Sequence, residues 1–198
     1  MEPLNTELVV IVVALCTYFF AAIPFGLVFS KIAGIGDIRK VGSGNIGATN
    51  VLRSGNKKIA ALTLLFDAFK GFFPVLVSSY FIPGHEFVVG FLAIFAHIFP
   101  VYLKFKGGKG VATTLGVYLA WNPTFGLLVL TTWLLTAKLF KVSSISALVA
   151  ALLAPFFAYF LGVNSAVIPF TALIAAILFY THRDNIKRLI NRQESEIS

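Results

Sequence analysis

Charged residues are scarce in this sequence, and cysteine is almost absent. Asp, Glu, Lys and Arg make up 12% of the chain, about half the share of a typical soluble domain. Hydrophobic residues make up 58%, which excludes an ordinary soluble fold. The single cysteine, Cys16, excludes an internal disulfide and a cysteine-based metal site. The few carboxylates and three histidines show no clustering, so we expect no metal and no cofactor.

Apolar segments recur along the whole chain and leave no room for a separate soluble module. A helix needs about 20 residues to cross the hydrocarbon of a bilayer, with about 17 as the lower limit. Six of the seven segments reach that limit, and the fourth is too short. We therefore predict one all-α, polytopic transmembrane domain over residues 1–198 with about seven spans. The segments are 8–30, 59–82, 87–103, 111–121, 124–140, 143–162 and 165–181.

Basic residues are distributed unequally between the two sides of this seven-span arrangement. Stretches 31–58, 104–110, 138–142 and 182–198 lie on one side and carry fifteen of the sixteen Lys and Arg residues. The opposite side carries none, and Lys70 lies inside the second segment. Cytoplasmic loops of membrane proteins carry such an excess of positive charge. The pattern predicts an extracytoplasmic N-terminus, a cytoplasmic C-terminus and two glycine-rich loops that both face the cytoplasm.

The first glycine-rich loop, residues 42–53, combines glycines with hydrogen-bond donors. Its G-x-G-x-x-G spacing would indicate a dinucleotide site only between a strand and a helix, which a membrane domain of this kind does not offer. Glycines instead let backbone N–H groups approach an anion, and Arg53 can clamp a phosphate through two hydrogen bonds. A flexible turn is the alternative. The candidate phosphate-binding residues are Gly42, Ser43, Gly44, Asn45, Thr49, Asn50 and Arg53.

The second glycine-rich loop, residues 104–110, is cationic. No Ser or Thr follows Lys109, so the loop is not a Walker A motif and we do not expect an ATPase. Lys106 is explained by contact with lipid headgroups. Lys104 precedes the glycines and Lys109 lies among them, which favours ligand-binding roles for both. The glycines of this loop are Gly107, Gly108 and Gly110.

Three ionisable groups lie within or at the ends of apolar segments. Asp67 and Lys70 are spaced i, i+3 and can pair on one helical face. Alternatively, Lys70 places an ammonium in a polar cavity. His97 either hydrogen-bonds a neighbouring helix or acts in catalysis. A basic stretch, residues 182–188, follows the last apolar segment, and such stretches commonly attach to anionic lipid.

Three blocks of residues together resemble the bacterial acyl-phosphate-dependent glycerol-3-phosphate acyltransferases, the PlsY family. They are residues 42–53, residues 97–110 and residues 182–186, and the resemblance covers essentially the whole chain. It implies transfer of a fatty acyl group from acyl phosphate to the 1-hydroxyl of glycerol 3-phosphate, giving lysophosphatidic acid and inorganic phosphate. It also implies a multi-pass protein of the bacterial inner membrane with a cytoplasmic active site. The His-x-x-x-x-Asp motif of thioester-dependent enzymes is absent.

This chemistry assigns a hypothetical role to each candidate. The catalytic set is Ser43, Asn45, His97, Lys104 and Asn185. The acyl-phosphate group is assigned to Ser43, Gly44, Lys104, Gly108 and Lys109, and glycerol 3-phosphate to Arg53, Lys70, His182 and Arg183. The further substrate-binding candidates are Gly42, Thr49, Asn50, Gly107 and Gly110. The proton of the attacking hydroxyl passes to His97 or to a phosphate oxygen. No His–Asp pair is visible to activate Ser43, so a covalent acyl-serine is not expected.

The partners expected for such an enzyme are its two substrates and membrane lipid, with no nucleic acid and no obligatory protein partner. Two other classes remain open at this point. A transporter of phosphate or organophosphate would place its substrate near the membrane midplane between repeated halves, and this sequence has no evident repeat. A lipid-binding regulator would account for the basic loops but not for their glycines and amides.

Overall fold

The computed structural model describes residues 6–197, which form ten α-helices, two short 3₁₀ turns and no strand. The all-α prediction is confirmed for these residues. The predicted extracytoplasmic end, residues 1–5, and residue 198 lie outside the described residues. The helices are α1 (Thr6–Ala21), α2 (Phe25–Ile32), α3 (Ala48–Arg53), α4 (Lys57–Phe81), α5 (Glu86–Ile98), α6 (Val111–Trp121), α7 (Pro123–Phe140), α8 (Ser143–Phe160), α9 (Val167–Thr181) and α10 (Arg183–Ile190).

The first apolar segment, predicted as one span over residues 8–30, does not form a single helix. It breaks between α1 and α2, which are bent by 44°. Pro24 lies at the break; a proline has no N–H to donate and disfavours helical geometry in the residue before it. The carbonyl of Ile23 accepts a hydrogen bond from Lys70 Nζ at 2.8 Å. The same carbonyl accepts the N–H of Phe25 at 3.1 Å, so the buried ammonium and a local turn replace the helical hydrogen bond that the break removes.

Fewer than seven helices are long enough to cross a membrane on their own. Four helical stretches are long and apolar enough to cross a membrane: Lys57–Phe81, Glu86–Leu103, Pro123–Phe140 and Ser143–Phe160. The bent pair α1–α2 makes a fifth if it is counted as one span. The short fourth segment forms α6, which has 11 residues, and the seventh forms only the 15 residues of α9. The helical part of residues 165–181 is therefore shorter than the segment that the sequence analysis predicted.

Small residues allow α4 and α6 to pack with their backbones in close contact. A Cβ at Gly71 would overlap the carbonyl of Thr113, and a Cβ at Gly116 would overlap the carbonyl of Ala68. Such close approach is the usual means of helix association in membranes, where apolar burial alone gives little driving force. Helix α6 also packs against α7, α7 against α8, and α8 against α9. This order places α6 between α4 and α7, and we call the space lined by α4, α6, α7 and α8 the trough.

Candidate active site

A cavity of about 410 Å³ occupies this trough. Both glycine-rich loops and the α9–α10 junction contribute to one end, while the rest lies among the membrane helices. The polar lining comprises Ser43, Asn45, Thr49, Asn50, Arg53, Lys57, Asp67, His97, Lys109, Thr114, Ser143, Ser144, His182 and Asn185. The apolar lining includes Leu64, Leu115, Tyr118, Val129, Leu130, Trp133, Leu134 and Ala151. One continuous space thus joins a polar mouth to an apolar interior.

The first loop is organised around the buried side chain of Asn50. Its Nδ2 donates to the carbonyls of Ile38 and Asn45, both at 2.8 Å. Its Oδ1 accepts from the backbone N–H of Ser43 at 3.0 Å and from the Ser43 hydroxyl at 3.3 Å. Asn50 is therefore committed to holding the loop in shape. Gly42 has a positive φ of 55°, and a Cβ there would meet Asn50 Oδ1.

The second loop uses its glycines differently from the anion cradle that the sequence suggested. The N–H of Gly107 donates to the carbonyl of Ile98 at 3.0 Å, and the N–H of Gly108 donates to the carbonyl of His97 at 3.2 Å. Both amides therefore cap the end of α5. A Cβ at Gly107 would overlap the His97 and Ile98 carbonyls, and a Cβ at Gly108 would overlap the His97 ring. These glycines are required for close packing, and the loop presents Lys109 to the cavity.

Lys109 lies at the centre of the polar mouth. Its ammonium donates to Asn185 Oδ1, and its backbone carbonyl accepts from the Thr181 hydroxyl at 3.1 Å. Burial lowers the pKa of Lys109 to about 8, and the neighbouring Arg188 and Arg53 act in the same direction while Glu194 opposes them. The ammonium is therefore still mostly protonated at pH 7. It is poorly neutralised by its surroundings, which makes it suited to an anionic ligand.

Glu194 fixes the amide of Asn185 from behind the cavity. The carboxylate accepts from Asn185 Nδ2 at 2.5 Å, from the Ser144 hydroxyl at 3.0 Å and from Arg188 Nε at 2.6 Å. Burial by itself would raise the pKa of Glu194, but these hydrogen bonds hold it below its usual value. With its Nδ2 bound to Glu194, Asn185 turns its Oδ1 towards Lys109. The C-terminal segment thus builds part of the site.

His182 is held as a neutral imidazole with one nitrogen free. Its Nδ1 lies 2.7 Å from the carbonyl of Leu178, and a carbonyl can only accept, so Nδ1 carries the proton. Burial and, to a smaller extent, the charge of Lys109 together lower the pKa of His182 to about 4. The other nitrogen, Nε2, is then an acceptor at pH 7. An acceptor beside a cationic group can receive a substrate hydroxyl.

The cavity brings together most of the predicted site residues but not all of them. Lys70 is buried, 2.8 Å from Asp67 Oδ1, so the predicted pairing is confirmed; it does not line the cavity. Lys104 is exposed in a left-handed turn with φ 51°. Arg183 is also exposed; it donates to the Tyr180 carbonyl at 3.2 Å and lies over the Tyr180 ring. The remaining candidates absent from the lining are Gly42, Gly44, Gly107 and Gly108.

Sequence reasoning missed several polar contributors to the site, among them Lys57 and Thr114, which line the cavity. Ser143 and Ser144 begin α8 and line the cavity, and the Ser143 and Thr49 hydroxyls lie 3.1 Å apart. Glu194, in the C-terminal segment, orients Asn185. Serines at a helix start are ordinary, and no local signal marks Glu194. Among residues 6–197, no three His, Cys, Asp or Glu side chains gather in a way that could hold a metal ion.

Comparison with known protein families finds one family that matches nearly the whole chain. A family model described as glycerol-3-phosphate acyltransferase matches residues 11–192. A glycerol-3-phosphate acyltransferase of Rhizobium meliloti is 49% identical over 180 residues, covering 91% of this chain and 88% of the relative. One of Brucella anthropi is 45% identical over 196 residues, covering 99% and 97%.

Solved structures agree with the sequence relatives. The crystal structure of PlsY, an integral membrane glycerol 3-phosphate acyltransferase, in its glycerol 3-phosphate form superposes with a TM-score of 0.89. It is 34% identical in sequence, and the match covers 95% of each chain. The lysophosphatidic acid form of the same protein gives a TM-score of 0.87 at 34% identity over 94% of each chain. The chain therefore belongs to the glycerol-3-phosphate acyltransferase family.

Proposed function

We propose that this protein transfers a fatty acyl group from acyl phosphate to the 1-hydroxyl of glycerol 3-phosphate, releasing lysophosphatidic acid and inorganic phosphate. The observation that supports this most directly is the single cavity that joins Lys109, Arg53, His182 and Asn185 to an apolar trough. Both substrates carry phosphate, and one of them also carries a long hydrocarbon chain. The relatives named for glycerol-3-phosphate acyl transfer support the same substrate class.

The reaction balances without an external base or a cofactor. The glycerol hydroxyl oxygen forms a bond to the acyl carbonyl carbon, and the bond between that carbon and the phosphate oxygen breaks. The hydroxyl proton leaves on the phosphate product. Acyl phosphate is already activated, so positioning and electrostatic stabilisation can carry much of the barrier. The protein needs cations and hydrogen-bond donors at the mouth of the cavity, where it has them.

Each polar group at the mouth has a role in this scheme. Lys109 and Arg53 hold phosphate. Asn185, oriented by Glu194, accepts a hydrogen bond from the Lys109 ammonium. His182 Nε2 accepts the hydrogen bond of the glycerol hydroxyl. The Ser43 hydroxyl donates its one proton to Asn50 Oδ1 at 3.3 Å, and an amide oxygen is not a base, so Asn50 does not activate Ser43 as a nucleophile.

The acyl chain occupies the apolar part of the same cavity. Its floor is α6, including Leu115 and Tyr118, and its walls are α4 and α7. Leu64 on α4 and Leu134 on α7 are half exposed at the rim, where they meet lipid. A chain that enters sideways from the bilayer therefore keeps its hydrocarbon out of water throughout the reaction.

We further propose the topology that the charge pattern predicts. Seven helical units, with α1 and α2 counted as one, cross the bacterial inner membrane. The N-terminus is extracytoplasmic and the C-terminus cytoplasmic, so the cavity mouth faces the cytoplasm. The excess of basic residues in four stretches on one side supports this orientation. Helices α6 and α9 span with the help of adjoining loops.

The direct test is a two-product assay on purified, detergent-solubilised protein. Glycerol 3-phosphate is supplied with palmitoyl phosphate or, in parallel, with palmitoyl-CoA, and lysophosphatidic acid and inorganic phosphate are measured together. The proposal expects both products in equal amounts from the phosphate donor and none from the thioester. Product from the thioester alone would overturn the proposed donor. No product from either donor would overturn the function and direct attention to phosphate flux in sealed vesicles.

The pKa of Lys109 predicts how activity depends on pH. Because this pKa is lowered to about 8, the ammonium is lost from the free enzyme as pH rises through that value. We expect kcat/KM to be level near pH 7 and to fall about tenfold per unit above pH 8, since kcat/KM reports groups of the free enzyme.

The matched control for this pH profile is Lys109→Arg, because a guanidinium stays protonated throughout this range. Its kcat/KM is expected to be lower than that of the parent at every pH, but the profile is expected to stay level to pH 9. Equal declines in parent and variant would show that another group is responsible.

A further inference from the structure

A buried polar cluster lies beneath the second glycine-rich loop. Lys70 Nζ is 2.8 Å from Asp67 Oδ1 and 2.8 Å from the carbonyl of Ile23. His97 Nδ1 is 3.8 Å from the same Asp67 oxygen. The side chains of Lys70, Asp67 and His97 are all at least 95% buried. The cluster connects the break between α1 and α2 to the end of α5.

A structural ion pair accounts for only part of this arrangement. Lys70 neutralises Asp67 and satisfies the Ile23 carbonyl, which gives the lysine a complete structural role. Asp67 does more, because it lines the cavity together with His97. Among the described residues, His97 Nδ1 has no hydrogen-bond partner, and the Asp67 carboxylate is the acceptor placed next to it. Their separation is longer than a direct hydrogen bond, and such contacts commonly shorten when substrate binds.

The opposite side of the His97 ring supports the loop that carries Lys109. His97 Nε2 lies against Gly108, and the His97 carbonyl accepts the Gly108 N–H at 3.2 Å. A rotation of the ring would therefore displace the backbone next to Lys109. Since the hydroxyl proton leaves on phosphate, His97 is not needed as a base and is available for this supporting role.

We propose that Asp67 is a positioning residue: it orients the His97 ring through Nδ1, and the ring sets the loop so that Lys109 meets substrate phosphate. This inference rests on the proposed acyl transfer. Asp67 does not touch the reacting atoms. Removing its acceptor oxygen should therefore raise the KM for a phosphate-bearing substrate more than it lowers kcat.

Two double variants distinguish the orientation of His97 by Asp67 from the neutralisation of Lys70 by Asp67. Asp67→Asn with Lys70→Met removes both charges and keeps an acceptor oxygen beside His97. Asp67→Leu with Lys70→Met removes both charges and the acceptor, and replacement of a buried ion pair by apolar residues often preserves stability. We expect the Asn pair to stay within about threefold of the parent kcat/KM and the Leu pair to fall at least about tenfold, mainly through KM, since small misplacements are costly.

Equal activity of the two double variants would overturn the proposal while leaving the function intact, because the parent is assayed alongside. An inactive parent would instead count against the proposed function. If neither variant folds, the histidine ¹⁵N spectrum of the parent tests the proposal, because it shows which nitrogen of His97 carries the proton. The His97→Asn variant identifies the His97 signals in that spectrum. The proposal expects His97 to carry its proton on Nδ1, and a proton on Nε2 would overturn it.

Discussion

Replacing Lys109 with methionine is expected to reduce kcat/KM at least about a hundredfold, the effect of removing one preorganised charge-stabilising donor from an active site. Methionine keeps much of the side-chain length but cannot bind phosphate. The change also leaves Asn185 Oδ1 without the ammonium that now donates to it. The measurement is steady-state phosphate release with each substrate varied in turn. The substrate whose KM rises more is the one whose phosphate Lys109 holds.

Lys106→Met is the matched control for this prediction. Lys106 belongs to the same loop and has the same charge, but its side chain is exposed and does not line the cavity. We expect its kcat/KM to stay within about threefold of the parent, because exposed charges contribute little. If Lys109→Met lost no more activity than Lys106→Met while both variants kept the parent's melting temperature, Lys109 would not be a phosphate ligand.

The sequence predicts which blocks of residues come together at the cavity, because its signals are local. The three blocks at residues 42–53, 97–110 and 182–186 all contribute to one cavity. Charge asymmetry predicts that their loops share one side of the membrane, and the structure brings both loops to the same cavity. The i, i+3 spacing of Asp67 and Lys70 predicted their ion pair correctly, since helical geometry alone brings such residues together.

Features that depend on distant contacts were not predictable in this way. The glycines at 107 and 108 suggested an anion cradle, but their amides cap α5 because the loop folds back on His97 and Ile98. Nothing local in the C-terminal segment indicates that Glu194 meets Ser144, a contact across 50 positions. The break at Pro24 is different: its signal was present in the proline, but a long apolar run obscured it.

The second large effect is expected from Gly108→Ala, which should lower kcat/KM about a hundredfold because a misplacement of about 1 Å near the chemistry can cost that much. A Cβ at this position would overlap the His97 ring. The ring is buried, with Asp67 3.8 Å behind it, so the loop must shift instead and carry Lys109 with it. Gly34→Ala is the control. Unlike Gly108, Gly34 has a positive φ of 71°, but a Cβ there has no neighbouring atom within 4 Å, so this control introduces an alanine without a clash.

The cause of this loss is identified by adding His97→Asn to Gly108→Ala. Asparagine lacks the Nε2 atom that the new Cβ would overlap, so space for the methyl group returns. Alone, His97→Asn should cost about tenfold, as for loss of a positioning contact. The double variant should then be more active than Gly108→Ala alone, measured by kcat/KM and with melting temperature as the folding control. Losses that multiply in the double variant would contradict this, because independent defects add in free energy while a shared steric cause does not.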